Sequence, residues 1–196
     1  MLRERLPELL RGSDDEDVHR IFGLRLPAFG LTHTYVPESS RGELWFPSAR
    51  TMLSRFCKQA AAHDADENRA GWYLGRAAHL YCDVAVPARA QRVWHFAADP
   101  LEAYVDQHID ELVGTCDRMS APSTPEALLC ELAGFARTLK ADTTRTPWGR
   151  ARYRWNRHGH VVSEAEARTQ AEALLPLLVA HLARALVEAA PKRRSR

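Results

Sequence analysis

The sequence predicts an all-α fold, a single-domain bundle of five to seven helices, and three observations support this prediction. Apolar residues recur every three or four positions along most of the chain. Proline and capping residues stand at the expected helix starts, and no segment alternates convincingly as a strand would. With 196 residues, 45% of them hydrophobic, the chain can bury one sizeable core. We assign residues 1–190 to this helical domain and residues 191–196 to a basic, solvated tail.

The residue pattern in the first half of the chain predicts a short amphipathic segment, a polar stretch and two helices. The polar stretch runs from about residue 12 to residue 42 and is acidic at its start. Pro47 lies in the first turn of the next helix. The apolar stripe of that helix comprises Met52, Leu53, Phe56, Cys57 and Ala60. Asp66 is a suitable N-cap for the helix that follows, and Pro87 ends it.

Two further helix starts lie in the middle of the chain. Asp99 is a suitable N-cap, Pro100 occupies the first helical position, and Glu102 adds an acidic residue to the first turn. Residues 123–126, Ser-Thr-Pro-Glu, repeat this arrangement. Both starts are followed by apolar residues at helical spacing, so each predicts an amphipathic helix.

A polar loop and a long helix complete the chain. The loop, residues 141–162, interleaves aromatic and basic side chains with two histidines: Trp148, Arg150, Arg152, Tyr153, Arg154, Trp155, Arg157, His158 and His160. Such a loop is able to ligate a metal, to bind phosphate or bases, or to serve only as a surface loop. The last helix begins at Ser163 with a capping box completed by Glu166, and Pro176 is predicted to kink it.

The composition indicates neither a nucleic-acid partner nor a membrane span. The formal net charge of +2 is close to neutral. No run approaches the roughly 18 apolar residues of a membrane span, and the N-terminal segment lacks the apolar core of a secretory signal. The cysteines form no Cys-x-x-Cys pair, and we interpret all four as buried free thiols: Cys57, Cys82, Cys116 and Cys130. We therefore expect a cytoplasmic protein.

The most informative motif is the helical segment over residues 71–87, which carries a histidine and an aspartate four positions apart. His79 and Asp83 share one helix face, so the imidazole and the carboxylate can reach a common point. The small residues Gly75 and Ala78 on the same stripe are expected to leave room for an ion or a substrate group. The structural alternative is a hydrogen-bonded pair that binds no ligand.

Three other segments occur in an order that matches a known family. They are the acidic run of residues 12–17, the Thr-His-Thr-Tyr-Val-Pro of residues 32–37 and the Glu-Ala-Tyr-Val-Asp of residues 102–106. Together with the Tyr-Leu-Gly-x-x-x-His-x-x-x-Asp-x-x-x-Pro of residues 73–87, they resemble the bacterial zinc-dependent phospholipase C family. The resemblance covers roughly residues 12–106 and implies the all-α fold of that family, which is related to that of fungal single-strand nucleases.

The resemblance implies one zinc site, whose ligands in this chain are Asp17, His33, His79 and Asp83. Asp17 also matches the carboxylate proposed as general base toward the attacking water, and Asp15 is a rival for that role. Zinc accepts nitrogen and oxygen ligands of this kind, and it activates a bound water and polarises a phosphoryl oxygen. The implied activity is hydrolysis of a phosphodiester, and the implied partner is a phosphate-containing small molecule or a lipid head group.

The chain departs from the family pattern at the other two zinc sites. No tryptophan or histidine precedes Gly12, where the family has the ligands of a second ion. Arg89 and Ala98 replace two histidines of a third site, and only Glu102 is kept, in a capping position that explains it structurally. His95 is a candidate substitute ligand, and the guanidinium of Arg89 is suited to bind a phosphate directly. We expect one zinc ion, or two if His95 and Glu102 take part.

Two functions from different classes follow. The first is a reduced, phospholipase C-like hydrolase that cleaves a phosphate ester with Asp17 as base and Arg89 as phosphate anchor. The second is a catalytically inactive scaffold of the same fold that serves as a binding or interaction module. A weaker third hypothesis is nucleic-acid binding through the arginine-rich loop, which predicts a steep salt dependence of affinity. The sequence leaves the oligomeric state open.

Overall fold

The structure, a computed structural model, describes residues 6–16, 18–21, 24–27, 47–91, 93, 100–113, 119–142 and 161–190. These residues form seven helices and one β-hairpin. The helices are α1 (Leu6–Glu16), α2 (Ala49–Ala62), α3 (Glu67–Ala85), α4 (Pro87–Ala90), α5 (Pro100–Val113), α6 (Pro125–Ala136) and α7 (Glu164–Ala189). The antiparallel strands are β1 (Val18–Ile21) and β2 (Leu24–Pro27).

The hairpin is a correction to the expectation that the chain has no strand. It lies within the polar stretch, and each of its strands has four residues. Strands this short carry too few positions to show a period of two, so hydrophobic patterning could not reveal them. The all-α class is nevertheless confirmed, because helices supply the buried residues of the main described core.

Helix α3 is the centre of the bundle and packs against α1, α2, α6 and α7. The main core lies where these helices meet, and its most deeply buried large side chains are Leu53, Leu80, Tyr81, Val84, Leu129 and Leu132. Burying each such apolar side chain contributes about 2 kcal/mol to stability. Tyr81 donates its hydroxyl to the carbonyl oxygen of Pro125 at the start of α6, and burial raises the pKa of this phenol.

Helix α1 lies directly on α3 through two buried glycines. A Cβ at Gly12 would overlap the carbonyl group of Trp72, and a Cβ at Gly75 would overlap the carbonyl group of Leu9. The backbones of the two helices are therefore in direct contact, which only glycine permits at these positions. This contact corrects the sequence prediction, because α1 continues through Gly12 to Glu16 where a polar stretch is predicted to begin.

Most predicted helix ends are confirmed. Asp66 and Thr124 accept hydrogen bonds from backbone N–H groups in the first turns of α3 and α6. Ser163 and Glu166 form the predicted capping box at the start of α7. Pro87 follows the end of α3 and begins the one-turn helix α4.

Helix α7 is more apolar than the sequence analysis allows. It has 26 residues, continues through Pro176, and contains an 18-residue window with a mean hydropathy of 1.3. By length and composition alone it could cross a membrane, contrary to the expectation that no stretch is long and apolar enough. In this fold it packs against α2, α3, α5 and α6, as a helix of a soluble bundle also does, so its composition is weak support for a membrane span.

Candidate functional site

A pocket of about 470 Å³ opens between α3, α4, α5 and α7. Its polar lining residues are His79, Cys82, Asp83, Arg89, Glu102 and Asp106. Its large apolar lining residues are Val86, Leu101, Val105, Ile109, Leu174, Leu175 and Leu178. A cavity with one charged wall and one aliphatic wall is suited to a ligand that has both a polar group and an apolar body.

The predicted pair lies in the wall of this pocket. The Nε2 of His79 is 3.2 Å from the Oδ2 of Asp83, and the two side chains are 14% and 6% exposed. Their spacing of one helical turn on α3 produces this contact directly. An imidazole nitrogen and a carboxylate oxygen that meet at a pocket surface are donors that zinc accepts.

Arg89 reaches the other oxygen of the same carboxylate. Its Nε lies 3.1 Å from the Oδ1 of Asp83. The turn at Pro87 makes this possible, because it ends α3 and starts α4 so that Arg89 returns toward Asp83. The predicted phosphate anchor is thus paired with a carboxylate, which offsets part of its positive charge. Its role toward phosphate stays a prediction.

The acidic end of α1 is attached to α3 by two side-chain contacts. The indole Nε1 of Trp72 donates to the Oδ2 of Asp15 over 3.0 Å. Glu16, only 2% exposed, forms an ion pair with Arg76. The guanidinium of Arg76 also lies over the rings of Phe56 and Trp72, 4.5 and 4.8 Å from their centroids. Asp15, the rival candidate for the catalytic base, is used in this attachment.

This attachment lies on the same stripe of α3 as the predicted site. Trp72, Arg76, His79 and Asp83 follow one another at intervals of four, three and four residues, so they share one helix face. The last residues of α1 hold the first half of the stripe, and the His79–Asp83 pair forms the second half. The sequence predicts no contact for Trp72 and Arg76, because the spacing of residues along one helix face does not reveal which other helix that face contacts.

Several predicted site residues lie outside the described part of the chain. These are Asp17, His33 and His95, together with His158, His160 and the basic tail. Glu102 is described and lines the pocket from α5. Within the described ranges, no group of three or more His, Cys, Asp and Glu side chains is placed to hold a metal ion. His79 and Asp83 therefore provide two suitable donors, and a complete zinc site requires the other two predicted ligands.

Two expectations about the surroundings of the pair need correction. The space beside Gly75 is filled by the backbone of α1, so this glycine serves helix packing and leaves no room for an ion. Cys82 is exposed and lines the pocket, whereas the sequence predicts a buried thiol. Cys57 and Cys130 are half-buried free thiols, and burial raises the pKa of Cys57 to about 12, with a further contribution from the charge of Glu126.

One further cluster of polar residues has no counterpart in the sequence analysis. The imidazole of His181 on α7 contacts Ser120, which lies 61 positions away along the chain. A contact between residues so far apart leaves no local spacing signal. The sequence analysis accordingly gives His181 no function.

No family model and no curated protein matches the chain. The solved structures similar to it include two alpha-toxins. The alpha toxin from Clostridium absonum matches with a TM-score of 0.64 and 17% identity, over 98% of this chain and 57% of the toxin. The alpha-toxin of Clostridium perfringens, isolated from avian strain SWCP, matches with a TM-score of 0.59 and 16% identity, over 99% of this chain and 57% of the toxin.

At this level of identity the likeness establishes the fold alone. It confirms the all-α class and supports the phospholipase C-like fold expected from the sequence motifs. The chain spans a little more than half the length of each toxin. Any activity of the chain is therefore a matter for proposal.

Proposed function

We propose that this chain is a metal-dependent hydrolase of phosphate esters, with a single zinc site formed by Asp17, His33, His79 and Asp83. The observation that carries the proposal is the His79–Asp83 pair, 3.2 Å apart in the wall of an amphiphilic pocket. The likeness to the two alpha-toxins supports the scaffold on which this site is built. The substrate class that suits the pocket is a small phosphate ester or a lipid head group with an apolar part.

The charges around the pocket favour a metal-dependent reaction. Among the residues that the structure describes, its lining includes the carboxylates of Asp83, Glu102 and Asp106 and the guanidinium of Arg89. The charged groups in this described part of the lining sum to a negative charge, which repels an anionic phosphate ester. A divalent cation at the His79–Asp83 pair would reverse the local charge. We therefore expect phosphate esters to bind only when the metal is present.

The anchored end of α1 supports the inclusion of Asp17. Glu16 is paired with Arg76, one turn before His79 on the same face of α3. Asp17 is the next residue along the chain after Glu16. The resemblance to the phospholipase C family assigns it as a ligand of the same ion as His79 and Asp83.

The residues of the pocket have separate roles in this proposal. His79 and Asp83 would hold the zinc together with Asp17 and His33, and the bound ion supplies an activated water and a polarised phosphoryl oxygen. Asp17 accepts the proton of the attacking water. Arg89 orients the Asp83 carboxylate and adds a guanidinium charge that attracts the phosphate. The aliphatic wall from α5 and α7 holds the apolar part of the substrate and excludes water.

A second candidate, the inactive scaffold, is favoured by one observation. Arg89 contacts Asp83 at 3.1 Å, so a cation of the protein itself already faces this carboxylate. In such a pair the guanidinium can take the place of a metal ion as the partner of the carboxylate. The chain would then use the pocket for binding alone.

Metal analysis combined with a phosphodiesterase assay separates the two candidates. We would measure zinc per chain after dialysis, and then hydrolysis of bis(p-nitrophenyl) phosphate by the wild type and His79→Ala. The matched control is His63→Ala, because His63 stacks on Tyr73 with ring centroids 5.6 Å apart and does not line the pocket. One zinc per chain and an activity lost only in His79→Ala support the hydrolase. Bound zinc without turnover supports the scaffold, and a metal-free wild type that hydrolyses no ester contradicts the proposal.

A further inference from the structure

A buried histidine on α7 connects a serine hydroxyl to a carboxylate. The Nδ1 of His181 is 2.7 Å from the Oγ of Ser120. On the other side of the ring, Nε2 is 3.4 Å from the Oε2 of Glu131 on α6. The imidazole is 4% exposed, whereas Glu131 is 67% exposed. This is the order of contacts, hydroxyl to imidazole to carboxylate, by which hydrolases activate a serine.

The serine is held in place by its own backbone. Its N–H donates to the carbonyl oxygen of Ala180 over 3.1 Å, and its carbonyl oxygen accepts from the Nε of Arg184 over 2.8 Å. The side chain of Ser120 is half-buried, so it remains accessible to a small molecule. The hydroxyl is therefore fixed against the imidazole and still open to attack on a substrate.

The charges around the ring favour proton transfer from the hydroxyl. In the proposed arrangement the ring hydrogen is on Nε2, the nitrogen 3.4 Å from the Glu131 carboxylate, and Nδ1 accepts from the serine hydroxyl. The same carboxylate stabilises the imidazolium formed after transfer. The guanidinium of Arg184 is used elsewhere, because its Nε donates to the backbone carbonyl oxygen of Ser120 and its NH1 pairs with Glu188 at 3.3 Å.

We propose that Ser120 is a nucleophile for carboxylic esters, with His181 as its general base and Glu131 as the residue that orients the imidazole. The Oγ of Ser120 forms a bond to the ester carbonyl carbon, and the hydroxyl proton passes to Nδ1 of His181. The bond to the alcohol then breaks, and the departing oxygen takes that proton. A water molecule cleaves the acyl-serine in the same way, which releases the acid and restores the hydroxyl. This site is independent of the pocket on α3.

Covalent labelling tests the proposal at the residue itself. Wild-type protein would be treated with a small fluorophosphonate, and the modified peptide would be identified by mass spectrometry. Hydrolysis of p-nitrophenyl acetate would be followed in parallel, with a metal chelator present to silence the zinc site. We expect an adduct on Ser120, and we expect Ser120→Ala to remove both the adduct and the turnover. Ser123→Ala is the matched control, because Ser123 is exposed in the same segment and should leave both unchanged.

A second variant tests the carboxylate and leaves the buried histidine in place. Glu131→Gln changes an exposed side chain, so the fold should persist. Because the carboxylate orients the base and the base itself remains, we expect labelling of Ser120 to slow by about tenfold, less than the roughly hundredfold or more that a general base contributes. Labelling of Ser120 at an unchanged rate in Glu131→Gln, or no adduct on Ser120 in the wild type, would show that the cluster is only a structural connection between α6 and α7.

Discussion

The Nε of Arg89 lies 3.1 Å from one oxygen of Asp83, while the other oxygen faces His79 at 3.2 Å. One carboxylate therefore has a permanent cation on one side and a potential metal ligand on the other. If the proposed zinc site forms here, the free energy of metal binding depends on how strongly Arg89 competes for the carboxylate. This competition can be measured.

Replacement of Arg89 should strengthen zinc binding. Arg89→Gln removes a positive charge next to a predicted ligand, so the carboxylate becomes a better donor toward a cation. We expect the zinc dissociation constant to fall by about tenfold, which corresponds to roughly 1.4 kcal/mol. Competition with a chromophoric chelator measures this constant directly.

The control for this measurement is Arg137→Gln, which changes an exposed arginine at the end of α6. It should leave the zinc dissociation constant unchanged. If Arg89→Gln binds zinc as the wild type does, or more weakly, then Arg89 supports the site and does not compete with the ion.

The glycine contact between α1 and α3 predicts a large loss of stability when it is filled. Gly75→Ala places a Cβ onto the carbonyl group of Leu9, so the helices must separate. We expect the free energy of unfolding to fall by about 3 kcal/mol, the upper range for overpacking. Urea denaturation followed by circular dichroism measures the change.

A glycine in α6 provides the opposite expectation. A Cβ at Gly134 meets no atom within 4 Å, so Gly134→Ala should stabilise the chain by up to about 1 kcal/mol through helix propensity. Similar effects of the two substitutions would contradict the close contact of α1 with α3.

The ion pair between Glu16 and Arg76 should be essential to the attachment of α1. Arg76→Met keeps the length of the side chain but leaves the buried carboxylate of Glu16 without its cation. Such a loss costs about 3 kcal/mol or more. Chemical denaturation would measure it, and the double variant with Glu16→Gln should recover part of the loss, because the unpaired charge is gone.

An ion pair on α1 with an exposed arginine is the matched control. Arg11, 62% exposed, pairs with Glu8 one turn earlier, so Arg11→Met should cost less than about 0.5 kcal/mol. Equal effects at Arg11 and Arg76 would show that burial of Glu16 does not determine the contribution of the pair.

The sequence predicts where the helices of this fold begin and end better than it predicts which helices contact one another. Helix ends depend on neighbouring residues, so they can be predicted from the sequence. The predicted caps at Asp66 and Ser163 and the helix end at Pro87 are found in the structure. The role of Gly75 depends on α1, more than 60 positions earlier in the chain. Without knowledge of that partner, its small size is misread as space for an ion.

In the candidate site, too, local contacts can be predicted from the sequence and contacts between separate elements cannot. The pairing of His79 with Asp83 follows from the geometry of one helix and is found in the structure. The contact of Arg89 with Asp83 requires the turn after Pro87, and the contact of Ser120 with His181 joins distant segments. Neither contact leaves a regular spacing in the sequence. The sequence therefore predicts a different role for Arg89 and no role for His181.

The capping box of α7 should make stability depend on pH in the acid range. The hydrogen bond from Lys140 and those from Ser163 lower the pKa of Glu166 to about 2. Because the pKa is lower in the folded state, the carboxylate stabilises the fold above the pKa of about 4.3 that it has in the unfolded chain. This stabilisation is lost as the pH falls from there toward 2.

The Glu166→Gln variant lacks the titrating group, so the difference between its urea midpoint and that of the wild type should be largest at pH 6 and shrink toward pH 3. The control Glu164→Gln removes a carboxylate from the same turn outside the capping box, so it separates the effect of the capping box from a general loss of negative charge. A gap between wild type and Glu166→Gln that stays constant from pH 6 to pH 3 would contradict the lowered pKa.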